Sequence, residues 1–177
     1  ASDCIAIISG NNLCNIEQEA KLIDGKLPFA IGGTTVQVNG EFCQLLYASS
    51  TQVIFITPSN LPDGPGQFVV TNSEAFPSKA ETIVTRSNPG IFVDSSKAVV
   101  LNSDTFVSDP FDPTDGQLRL TIFATGVRHA SQLSVTVNGA AATVEAVAAS
   151  RLPGLDEIQV RLPSELRGAG VVSIAIK

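Results

Sequence analysis

The chain has 177 residues, a formal net charge of −6 and a pI near 4.6, and its eleven Lys and Arg are scattered rather than gathered into a stripe. That balance excludes a nucleic-acid interface, which needs clustered cations against phosphates, and a peripheral role on anionic lipid. Val, Ile and Ala dominate with no Met or Trp, a strand-favouring composition, and no apolar run approaches the ~20 residues that span a bilayer as a helix.

Taken in order, Ile5–Ser9 reads as a near-continuous apolar strand stopped by Gly10. Residues 11–30 form a long connection, in which residues 16–22 (IEQEAKL) suit one or two helical turns. Thr34–Val38 alternates as a half-buried strand does, and Asn39-Gly40 behind it is a strong hairpin signal, because both residue types tolerate φ > 0. Gln44–Ala48 and residues 52–57, 67–72 and 80–85 complete a first β-domain. The short link Arg86-Ser87-Asn88-Pro89-Gly90, whose proline restricts the residue before it, sets the expected domains at 1–87 and 88–177.

The second half repeats the scheme with strands at 91–93, 98–102, 118–124, 134–137, 143–149, 158–162 and 171–176. TVQVNG at 35–40 returns as SVTVNG at 134–139, and Pro58-Ser59-Asn60-Leu61 returns as Pro163-Ser164-Glu165-Leu166. Order and strand character are kept while loop lengths differ, the mark of a duplicated β-domain. The expected fold class is all-β, two tandem immunoglobulin-like β-sandwich domains. Each copy reads as short of one strand. The first has only Ala1–Cys4 ahead of Ile5–Ser9, whereas the second has strand material ahead of 118–124; the second stops at Lys177, whereas the first has a closing strand at 80–85.

These residues carry a family resemblance. Ile7-Ile8-Ser9-Gly10-Asn11-Asn12-Leu13, Ile31-Gly32-Gly33-Thr34-Thr35-Val36-Gln37-Val38-Asn39-Gly40, Leu45-Leu46-Tyr47 and Pro58…Leu61-Pro62…Gly66 resemble the IPT/TIG group of immunoglobulin-like domains. Asn88-Pro89-Gly90-Ile91-Phe92, Ala124-Thr125-Gly126 and Val135-Thr136-Val137-Asn138-Gly139 continue it. More closely, the whole order is similar to an uncharacterised paired domain at the C-termini of large secreted bacterial proteins. The resemblance implies extracellular or surface-exposed modules, often repeated, and brings no catalytic residues.

Cys4, Cys14 and Cys43 all lie in the first half, where domains of this kind carry small residues. Cys14 sits in a polar loop and Cys43 just past a turn, so paired thiols in an oxidising compartment are expected. The start at Ala1 reads as what remains after signal-peptide cleavage, which again points to an extracellular or cell-surface location. The expected disulfide is Cys14–Cys43, with Cys4–Cys43 as the alternative, and Cys4 is the candidate intermolecular thiol.

No residue pattern supports catalysis, and no cofactor is implied. His129, the single histidine, lies in a polar loop with no nucleophile elbow, so it reads as a surface residue rather than the base of a triad. Asp104, Asp109, Asp112 and Asp115 are the one oxygen-rich run that resembles a Ca²⁺ loop; Asp-Pro and Asp-Gly are also ordinary turn initiators, and no metal is assigned. The expected function is a non-enzymatic structural protein, the subunit of a head-to-tail, pilus-like filament or surface array. Its subunit interface would use Ile5 and Ile7 at one end and Val171, Ile174 and Ile176 at the other, at unpaired strand edges. In this reading the partner is the protein itself. The alternative is an adhesion or carbohydrate-binding module of a larger secreted protein, with a glycan or surface protein as partner.

Overall fold

The computed structural model describes all residues, Ala1–Lys177. It is all-β, and the chain divides into two units, Ala1–Arg86 and Ser87–Lys177, each with its own hydrophobic core.

The first unit runs β1 (Ile5–Ser9), β2 (Gln18–Glu19), β3 (Ala30–Ile31), β4 (Thr34–Val38), β5 (Glu41–Phe42), β6 (Gln44–Ala48), β7 (Gln52–Ile56), β8 (Gly64–Thr71) and β9 (Pro77–Val84). One sheet has the order β1-β7-β6-β2; the other is β3-β4-β8-β9, with β5 also on β4. Alternation decides what is buried. Val36, Val38, Leu45, Val53, Phe55 and Val70 point inward and form the core with Leu13, Cys14, Ile31, Cys43 and Ala48. Phe55 of one sheet meets Phe68 of the other edge to face, with ring centroids 5.8 Å apart. The residues at 16–22 are not helical. Gln18 and Glu19 pair with Ala48 and Tyr47, the Ala20 amide donates to the Leu46 carbonyl, and the Tyr47 hydroxyl donates to Glu17. The open flank of β6 offers this segment a ladder, which outweighs a short and unsupported helical turn.

The second unit runs β10 (Gly90–Ile91), β11 (Val93–Asp94), β12 (Lys97–Ala98), β13 (Val100–Asn102), β14 (Arg119–Thr125), β15 (Val135–Val137), β16 (Ala140–Ala149), β17 (Asp156–Arg161), a 3₁₀ turn at Ser164–Leu166, and β18 (Ile174–Ile176). The main path is β10-β14-β17-β16-β15-β18, with β13 also on β14, and β11 pairs β12. β16 serves both layers: Ala140, Ala141 and Ala142 pair with β15, and residues 143–149 pair with β17. In the first unit the same path is broken into β5 on β4 and β6 on β7, and Cys43 is the corner between them.

Turn chemistry sets these registers. Asn39 and Gly40 have φ of 51° and 86°, and Asn138 and Gly139 have 51° and 81°. Positive φ at both central residues is the hairpin geometry that matches strand twist. Gly66 serves a different need: a Cβ there would lie 2.8 Å from Val84 Cγ2, so only glycine lets β9 close over β8 at that point.

The second unit also contains a buried carboxylate that sequence reasoning missed. Asp156 is fully buried at the start of β17; its Oδ2 accepts the Val127 and Arg128 amides at 2.9 and 3.2 Å, and its Oδ1 accepts Arg128 Nε. Arg128 also donates to the Leu155 carbonyl at 3.0 Å, which pins the turn after β14 to the end of β17. Removing one member of such a pair strands the other's charge or leaves its donors unsatisfied. Asp156→Ala is expected to cost the second unit on the order of 3–5 kcal/mol, measured as a loss in the urea-unfolding transition of that unit.

Candidate functional site

The concave feature of the first unit is a polar groove of about 430 Å³ lined by Asn11, Asn12, Leu13, Asn15, Val70, Asn72, Glu74, Phe76 and Ser78. Four segments build it: the loop after β1, the end of β8, the β8–β9 turn and the start of β9. Asn72 organises the turn. Its Oδ1 accepts the amides of Glu74 and Phe76 at 3.0 and 2.9 Å, its Nδ2 donates to the Asn12 carbonyl at 3.1 Å, and its own amide donates to the Phe76 carbonyl. This holds Phe76 out at the rim with 66% of its surface exposed. Carboxamides beside a fixed exposed ring are chemically suited to hydroxyl-rich ligands, with the ring as an apolar platform. Sequence reasoning missed this site, because Asn11 and Phe76 meet only in the fold. The Asn72-Ser73-Glu74 turn signal was the available clue.

The second feature is a set of open strand edges. β1 pairs with β7 alone, whereas β14 has β17 on one side and β10 and β13 on the other. β18 pairs with β15 alone, whereas β8 has β4 on one side and β9 on the other. Hydrogen bonding alternates along an antiparallel ladder. The Gly10 amide donates to the Thr51 carbonyl, so Ile7 and Ser9 turn their backbone groups away from β7. Lys177 and Ser134 exchange amide bonds at 3.0 and 2.9 Å, so Ile174 and Ile176 turn theirs away from β15.

The five apolar residues singled out for a subunit interface have different surroundings. Ile7 is 56% and Val171 96% exposed. Ile5 is half-buried on β1, and Ile174 and Ile176 are half-buried against the core of their own unit. The N-terminal segment is also tied down within its unit: Ser2 Oγ accepts the Leu61 amide at 2.8 Å, and Thr57 Oγ1 donates to the Ala1 carbonyl at 2.7 Å. Part of the covering assigned to a neighbouring subunit is therefore supplied internally.

The acidic run does not converge. Asp104 pairs with Arg119 at 2.6 Å and Asp109 with Lys97 at 3.2 Å, Asp112 accepts from Thr114, and Asp115 accepts the Gln117 amide at 2.8 Å. The Thr114 contacts hold the Asp112 carboxyl below its usual range. No group of three or more His, Cys, Asp or Glu side chains is arranged to hold a metal ion. His129 lies exposed in the turn after β14.

Residues 2–86 match the family model of the IPT/TIG domain. The first unit is an IPT/TIG domain. This is an immunoglobulin-like module suited to adhesion or protein interaction and typically without catalysis. No curated protein matches the chain.

Within this IPT/TIG domain the cysteine expectation needs correction. Cys4, Cys14 and Cys43 are all free and buried, so the Cys14–Cys43 disulfide is not formed. Cys14 turns its sulfur to the carbonyls of Ile31 and Gly32, at 3.6 and 3.9 Å. Cys43 stands at the sheet-crossing corner, three residues past Gly40, where the second unit has Ala142 three residues past Gly139. Both sulfurs act as small apolar groups inside the core. Cys4 is held by Thr57: its amide donates to Thr57 Oγ1 at 3.0 Å, and its thiol donates to the Ala1 carbonyl at 3.0 Å. The loop and turn positions had suggested exposure, but neighbouring strands close over all three.

Burial pushes the Cys43 thiol up from 9.0 to about 12, helped by the nearby Cys4 and Glu41. The folded chain keeps this proton over a range in which the unfolded chain releases it. Stability contributed by the neutral thiol is therefore complete below about pH 9 and is lost progressively toward pH 12. Cys43→Ala, which installs the residue found at the matching corner of the second unit, is expected to flatten that decline. Urea midpoints of the first unit between those pH values check it.

Proposed function

We propose that the protein is a non-enzymatic extracellular structural module that joins copies of itself head to tail, by strand addition at β1 and β18, into a filament or surface array. The observation that carries this reading is the pair of open edges at opposite termini of the chain. Ile7 and Ser9 on one, and Ile174 and Ile176 on the other, have outward backbone groups beside partly exposed apolar side chains. An edge of this kind accepts a further strand. Two different edges make a heterologous contact, which need not close and can propagate. The arrangement inside the chain supports it, since β14 is covered where β1 is open and β8 is covered where β18 is open. The resemblance to paired domains of secreted bacterial proteins supports the extracellular setting.

The test places a charge on each edge at a side chain already in solvent, so that the fold is spared. Ile7→Lys and Ala175→Lys are each expected to leave unfolding within ~0.5 kcal/mol of the parent and to abolish polymer in sedimentation and electron microscopy. A parent chain that stays monomeric at every concentration, or polymers indifferent to both changes, would overturn the reading.

The groove supports a second reading, an adhesion module that binds glycan. Asn11, Asn12, Asn15 and Glu74 would take ligand hydroxyls, and Phe76 would stack on a sugar face. Under it, soluble polysaccharides retard the native protein in affinity gels, and Phe76→Ala removes the retardation. Equal mobility of parent and variant across neutral and acidic polysaccharides would exclude it.

A further inference from the structure

β9 presents an edge that is independent of both termini. It pairs with β8 over eight uninterrupted positions, from Gly64↔Val84 to Thr71↔Pro77. By contrast, β6 and β16 each carry a register shift against their neighbours. Every β9 side chain except that of Val84 is exposed. A long, regular edge without a bulge is the kind that templates pairing.

Ladder parity identifies the outward backbone groups. The Asn72 amide donates to the Phe76 carbonyl, which makes this a hydrogen-bonded pair; the bonded pairs then recur at Val70–Ser78, Phe68–Ala80 and Gly66–Thr82. On the far side of β8 the Asn39 amide donates to the Gln67 carbonyl, which gives the same parity independently. Lys79, Glu81 and Ile83 therefore direct both N–H and C=O away from β8. Pro77 directs a carbonyl outward and has no N–H to leave unpaired.

We propose that β9 pairs antiparallel with β9 of a second copy, with the two-fold axis between the two Ala80 residues. In this register Lys79 faces the partner's Glu81 and Glu81 faces the partner's Lys79. Ser78 faces Thr82, Pro77 faces Ile83, and the closely spaced non-hydrogen-bonded pair at the centre is alanine on alanine. Lys79 and Glu81 exchange two backbone bonds with each other across the axis on each side, and each Ile83 amide reaches a Pro77 carbonyl. The total is about six. The sequence P-S-K-A-E-T-I is thus complementary to itself when reversed. Sliding the strands by one hydrogen-bonded step either way sets Lys79 against Lys79 or Glu81 against Glu81, and like charges directly opposite are disfavoured. Charges placed only to guard an edge would not need opposite signs two residues apart about an alanine. The contact is isologous and closes at two chains, unlike the head-to-tail contact.

The experiment uses the full chain carrying Ile7→Lys, which blocks the terminal edge, and measures self-association by analytical ultracentrifugation. The parent sequence at β9 is expected to give a reversible dimer that does not grow further. Lys79→Glu and Glu81→Lys each place like charges opposite one another and are expected to weaken the dimer roughly tenfold or more. An equimolar mixture of the two single variants restores it as a heterodimer, and the double variant restores it as a homodimer. Amide exchange at Lys79, Glu81 and Ile83 slows on dimerisation, whereas exchange at Ser9 and Ile174 does not. A monomer at all concentrations, single variants as tight as the parent, or a mixture that stays monomeric would each overturn the proposal. None of these outcomes bears on polymers formed through β1 and β18.

Discussion

Register at two Asn-Gly turns governs both halves of this protein. In a strand of period two, a slip of one residue turns every inward side chain out. Asn39-Gly40 and Asn138-Gly139 hold the left-handed conformations that fold β4 onto β5 and β15 onto β16. That places Val36 and Val38, or Val135 and Val137, at the centre of a core rather than in water. The next constraint follows from the same turn. A few residues on, the chain must leave one sheet for the other, and a small buried side chain stands at that corner in each unit, Cys43 in the first and Ala142 in the second. Cys43 packs there as a free, buried thiol.

Closing two cores from short strands leaves edges over. The first unit covers β8 with β9 but leaves β1 open; the second covers β14 with β10 and β13 but leaves β18 open. Unpaired backbone at an edge is tolerated because water solvates it, and the same groups are ready to bond another strand. The edges also differ in kind. Those of β1 and β18 are short and aliphatic, and that of β9 is long and carries charge of both signs. Their chemistry therefore separates what each could join.

Polar chemistry is spent mostly on architecture. Asp156 and Arg128 tie a turn to a strand, Thr57 gathers the N-terminal segment, and the Asp104–Asp115 loop uses its carboxylates on separate local partners. The exception is the groove beside Phe76, where Asn72 spends its side chain on holding an aromatic ring in solvent.

Local pattern was enough to locate strands. Ile5–Ser9, Thr34–Val38 and Gln44–Ala48 are bounded as the sequence indicates, because alternation, β-branched residues and turn signals act over neighbouring positions. The same locality made the Asn-Gly turns and the IPT/TIG character of the first unit legible. The tertiary structure decided whatever depends on residues distant along the chain. The segment at 16–22 became extended because β6 offered it a ladder, a partner invisible from its own composition. Cys14 and Cys43 looked exposed by sequence position and are buried because strands from elsewhere close over them. Phe76 joined Asn11 and Asn15 only when the β8–β9 turn met the loop after β1. Burial and proximity are properties of the packed chain, and no window of sequence contains them.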